Sequence, residues 1–85
     1  MATTTNEKNE HAYDLIGSIV PAIMTTVDGK QHPAEARIVA THDPRFVGVH
    51  PVTVNGRLVR VHNVYAEYAV DTVRRLIADR KPIEI

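Results

Sequence analysis

Residues 46–62, FVGVHPVTVNGRLVRVH, constrain this chain more than any other stretch. Two Val-rich runs flank Asn55-Gly56. An Asn-Gly pair between alternating β-formers signals a two-residue type I′ hairpin, because both residues tolerate positive φ. Such a loop fixes the register: Val54 opposite Arg57, Val52 opposite Val59, His50 opposite Val61. One face then carries Val52, Val54, Val59 and Val61 as core. The other carries Val49, Pro51, Thr53, Leu58, Arg60 and His62, half apolar and half charged. Pro51 has no N–H to give a ladder, so its strand is expected at a sheet edge or bulged there.

A helix is predicted to follow, from about Val64 to Arg80, with Asn63 as its N-cap. Ala66, Ala69, Val70, Val73, Leu76 and Ile77 recur at spacings of three and four and form its apolar stripe. Pro82 stops it, and Ile83 and Ile85 are apolar enough to dock on the sheet or on a neighbouring subunit.

Upstream, Ala2–Glu10 is polar and aperiodic and reads as a tail, leaving 11–85 as one domain. Two readings compete for the next segment. As a helix, preferred from about residue 9 to 20, Ala12, Leu15, Ile16, Ile19, Val20 and Ile23 share a face, against Gly17 and Pro21. As a strand, Ile19, Pro21, Ile23, Thr25 and Val27 share one, with Asp28-Gly29 as its turn. The helix is preferred up to Val20, with a short strand after it. Ala34–Thr41 reads as a strand, and His42-Asp43-Pro44 as a connector. The expected fold is therefore α+β: a small antiparallel sheet of three or four strands with a helix at 9–20 and a longer one at 64–80.

The order helix–strand–strand–strand–helix resembles the double-stranded RNA-binding domain over about residues 10–80. The stretch FVGVHPVTVNGRLVRVHNVYAEYAVDTVRRLI has a similar hairpin-to-helix spacing. That family grips RNA with lysines at the start of its last helix, where this chain has Tyr65, Ala66, Glu67 and Tyr68. Its glycine-rich approach to that helix is replaced by Val59, Arg60, Val61 and His62. The resemblance implies a topology and argues against the activity, and no functional residue carries over.

Size and composition narrow the function classes. A chain of 85 residues buries only about 60% of the surface its unfolded form exposes, and at this size a partner subunit is a common source of extra stability. With no cysteine, disulfides and thiolate metal sites are excluded, and a cytoplasmic location is the expectation. Met1–Glu10 lacks the pattern of a signal peptide, and no apolar run reaches the roughly 18 residues of a membrane span.

Catalytic patterns are weak. The five histidines show no metal-ligand spacing. His42-Asp43 could form an acid–base pair, but adjacent residues seldom face one another, so a capping aspartate in a turn is preferred. The glycines are isolated and make no phosphate loop. The expected function is a non-enzymatic interaction module (assembly factor, adaptor or inhibitor), homo-oligomeric, without cofactor or metal. Its expected partner-binding residues are Val49, Leu58, Arg60, His62, Tyr65, Tyr68, Arg74 and Arg75. The alternative is nucleic-acid binding through Arg57, Arg60, Arg74 and Arg75, although the net charge is zero. A further alternative is a histidine-based metal or acid–base site between subunits.

Overall fold

The computed structural model describes residues 14–60 and 66–85. Its elements are β1 (Ile19–Thr25), β2 (Gln31–Ala40), β3 (Phe46–Val54), β4 (Arg57–Leu58), β5 (Ala66–Ala69), α1 (Val70–Ala78) and β6 (Ile83–Glu84). They form one mixed sheet in the order β4-β3-β2-β1-β6, with β5 also paired to β3. All pairings are antiparallel except that of β6, which runs parallel to β1. The expected α+β fold of three or four strands and two substantial helices is thus overturned: the described chain is mostly β, with six strands and one short helix. The helix–strand–strand–strand–helix order implied by the resemblance fails with it.

Local chemistry explains the N-terminal correction. Asp14–Gly17 is a turn, closed where the Ser18 amide donates to the Leu15 carbonyl at 3.0 Å. Gly17 has φ 90°, which ends any helical path there. Ile19, Val20 and Ile23 then pair along β2, as β-branched residues favour. Of the helix expected at 9–20, residues 14–20 are turn and strand, while 9–13 and the tail expected at 1–10 lie outside the described residues. Backbone groups alternate in direction along a strand, and the Ser18 carbonyl points at β2, accepting from Ile38 at 2.9 Å. The nitrogen of Pro21 therefore faces away from β2, where its missing donor costs the ladder nothing. Asp28-Gly29 does form the β1–β2 turn, with Gly29 at φ 83°.

The Asn55-Gly56 hairpin is as the sequence dictates: Val54 pairs with Arg57, and the two loop residues have φ 53° and 78°. Its faces are not. The pairing passes from Glu35–Thr53 to Ala36–Pro51, so Val52 is an extra, bulged residue. A bulge shifts the period-2 alternation by one. Val47, Val49 and Pro51 point into the core before it, and Val54 packs there after it. The core face expected to hold Val52 is therefore held by Val49 and Pro51. The bulge also accommodates Pro51 on the outer edge of β3. There β5 ends opposite Val49 and β4 begins opposite Thr53, so among the described residues no strand pairs with Pro51 on that side.

The long C-terminal helix is shortened for a similar reason. Ala66–Ala69, good helix formers in part, instead pair antiparallel with Phe46–Val49, so tertiary pairing overrides propensity. The expected cap Asn63 lies outside the described residues. The observed N-cap, Ala69, is extended, and the Val70 amide donates to the Arg45 carbonyl at 3.0 Å. At the other end Arg80 donates to Ile77 and Lys81 to Leu76, the two bonds of a Schellman motif. Arg80 takes the left-handed position, with φ 55°.

The core joins Val20 and Ala22 of β1, Ala34, Ala36 and Ile38 of β2, Val47 and Val49 of β3, Val70 and Val73 of α1, and Ile83 of β6. Small alanines on β1 and β2 leave room for the helix. Each fully buried Val or Ile contributes roughly 1.5–3 kcal/mol. Ile83 docks as its apolarity required, and the Ile85 amide donates to the Ile23 carbonyl at 2.9 Å. The Tyr68 hydroxyl of β5 donates to the Glu84 carbonyl of β6. In a flat sheet those strands would lie about 19 Å apart, four steps of 4.8 Å. The sheet therefore curls around its core, and its outer face is convex.

Candidate functional site

The outer face is written in the alternation of β2. In AEARIVA, Ala34, Ala36 and Ile38 point inward and are buried, so Glu35, Arg37 and Val39 point outward. Cross-strand pairing extends this face over three rows. Arg37 lies between Ile19 of β1 and His50 of β3. Glu35 lies between Pro21 and Thr53, and the Thr53 hydroxyl donates to Glu35 Oε1 at 2.9 Å. Val39 lies beside Gly48, which in turn pairs with Glu67 of β5. Because Gly48 has no side chain, a hollow of about 520 Å³ opens over it, lined by Val39, His42, His50 and Glu67 among others.

The charges of this face are few: Arg37, Glu35 and Glu67. Arg37 has no carboxylate within ion-pair distance among the described residues. Ile19 and Phe46 are 46% and 41% exposed, and both point outward. The elements of this surface could have been read from the sequence. The alternation of small and charged residues in Ala34–Val39 marks the two sides of β2.

The residues expected to bind a partner fare unevenly. Val49 is fully buried and lies in the core, so it presents nothing to a partner; the bulge at Val52 is what turned it inward. Leu58 is 79% exposed at the hairpin tip, and Arg60 is exposed just beyond it. His62 and Tyr65 lie outside the described residues, as does the end of the strand expected to reach His62. Tyr68 faces the core side, half-buried; burial and the nearby Glu84 carboxylate hold its phenol above the usual value. Arg74 is clamped by Asp14, donating at 2.7 and 3.0 Å, which raises the affinity of the guanidinium for its proton. Arg75 is exposed on α1. These residues do not make one patch: Arg57 and Arg60 flank the hairpin, while Arg74 and Arg75 sit on α1.

The acid–base alternative meets a specific obstacle. Asp43 accepts from the Arg45 amide at 2.9 Å and from its guanidinium at 3.0 and 3.2 Å. These bonds lower its pKa below the ordinary aspartate value and occupy both oxygens with Arg45, not His42. Among the described residues no group of three His, Asp or Glu side chains is placed to hold a metal ion. Nor is any described helix long and apolar enough to cross a membrane. No protein-family model matches the chain, and no curated protein or solved structure is significantly similar to it.

Proposed function

We propose that the protein is a small non-enzymatic interaction module, an assembly factor, adaptor or inhibitor, that self-associates and works through the outer face of its sheet. One observation carries this reading. Among the described residues the core and α1 lie on the inner side of the sheet, and the outer side gathers Ile19, Pro21, Val39 and Phe46 around a compact set of charges. Apolar side chains grouped on one face, with polar neighbours, are what a contact surface needs. A cysteine-free chain suits a reducing compartment such as the cytoplasm.

The nucleic-acid alternative gains nothing from the geometry. Phosphate binding draws on a surplus of cations. Here Arg74 is paired with Asp14, and the outer face carries one arginine, Arg37, with two glutamates, Glu35 and Glu67, which is no surplus of cations.

Light scattering on a size-exclusion column tests the reading. Loaded at about 1 mM, within the range of weak complexes, the wild type should run above monomer mass. Ile19→Asp should return it to monomer, and Arg75→Glu on α1 should leave it unchanged. A monomeric wild type, or an Ile19→Asp variant that associates as before, would remove the outer face from consideration.

A further inference from the structure

We infer that the outer face pairs with the same face of a second copy, about a two-fold axis that crosses the strands at Ala36, so that the two β2 strands run antiparallel. This rests on the outer face being the working surface, and it specifies what that surface fits.

The rows of the sheet decide the orientation. One row presents Ile19, Arg37 and His50 across β1, β2 and β3; the row below presents Pro21, Glu35 and Thr53. Between them Ala36 points inward and is fully buried. An axis lying in the interface, across the strands at that level, lays each row on the other row of the second copy. Arg37 then faces Glu35, Ile19 faces Pro21, and His50 faces Thr53. Charge meets opposite charge, apolar meets apolar, and polar meets polar. Each contact also occurs twice, as in any isologous dimer.

The other simple arrangement fails on charge. An axis running along β2 would set Arg37 against Arg37 and Glu35 against Glu35, and like charges directly opposed are unfavourable. Arg37 has no carboxylate partner of its own among the described residues, so the second copy's Glu35 would supply one. Edge-to-edge pairing competes poorly. The outer stretch of β1 contains Pro21, and the outer strands β4, β5 and β6 are two, four and two residues long, too short to template a long ladder.

Area sets the strength. Three strands 4.8 Å apart and about seven residues long present at most roughly 350 Å² in projection, and the convex curl of the face brings less than that into contact. Standard interfaces bury about 800 Å² per partner. The dimer is therefore weak and reversible.

Sedimentation of the full chain from about 10 µM to 1 mM spans that regime. The wild type should dimerise. Arg37→Glu and Glu35→Arg should each weaken the dimer about tenfold or more, since each replaces two attractive contacts by two repulsive ones. The double variant Glu35→Arg with Arg37→Glu restores every pair and should return to within about threefold of wild type. Both positions are exposed, and circular dichroism with a melting curve verifies that each variant is folded. If the single variants dimerise as wild type does, or the double variant stays weak, the proposed pairing is wrong, while loss of the dimer in Ile19→Asp still upholds the surface. A wild type that stays monomeric at 1 mM defeats self-association itself, and with it both readings.

Discussion

Truncating Val49 to alanine separates two accounts of the hairpin by a wide margin. If Val49 stood on an outer face, Val49→Ala would change stability by no more than about 0.5 kcal/mol, as surface substitutions do. In the structure Val49 is fully buried, opposite Ile38 on β2 and Ala66 on β5, in the cluster completed by α1. Removing two methyl groups there forfeits about 1.6 kcal/mol of transfer free energy at 0.8 per carbon. The cavity left behind raises the total to about 2–3 kcal/mol. A domain of this size has roughly 4–13 kcal/mol in all, so the loss is a large fraction. It corresponds to a melting temperature lower by about 10–20 °C at 4–8 °C per kcal/mol. Urea unfolding followed by circular dichroism reads it, with the slope compared to verify that the denatured state is unchanged. Val52→Ala, at the half-buried bulge, should cost clearly less. Equal costs at the two sites, or a cost below about 0.5 kcal/mol at Val49, would refute the bulged register.

Two further outcomes follow from particular residues. Arg80→Gly should stabilise the protein by about 0.5–1 kcal/mol in the same assay, because Arg80 occupies the left-handed position after α1 that glycine enters without a Cβ penalty. Acid sensitivity should trace to Asp28 and Asp43. Hydrogen bonds from the Thr26 hydroxyl and Lys30 amide, and from Arg45, hold these carboxyls below the ordinary aspartate value of 3.8. The folded state thus favours their charged forms, so this contribution is complete above about pH 5 and lost as pH falls through the lowered folded values. Melting temperatures between about pH 5 and 2.5 should fall less steeply when both are replaced by asparagine.

How much was legible depended on whether the determinant was local. The Asn55-Gly56 turn was, because two residues able to take positive φ between β-formers leave few alternatives. Asp28-Gly29 was legible for the same reason, and so was the docking of Ile83. The faces of β3 were not, since a single inserted residue at Val52 reverses the alternation, and only the pairing with β2 reveals it. Pro51 pointed to an edge or a bulge, and the structure has the bulge, in a strand paired on both sides. Ala66–Ala69 reads as helix in isolation and becomes strand because β3 offers an unpaired edge there. Ile19–Thr25 shows the reverse hazard: its residues fit a helical stripe until Gly17 and Pro21 are given full weight. The outer face was half legible. Its alternation stands in Ala34–Val39, but the rows that unite Ile19, Arg37 and His50 exist only once three strands are in register.

Backbone amide NMR of the full chain over a concentration series addresses the surface most directly. Between about 20 µM and 1 mM, a span that brackets a weak dimer, the account predicts shifts concentrated at Ile19, Glu35, Arg37, Val39 and His50, with α1 unaffected. Shifts confined to α1 or to the Leu58 hairpin tip, or none across the range, would contradict it.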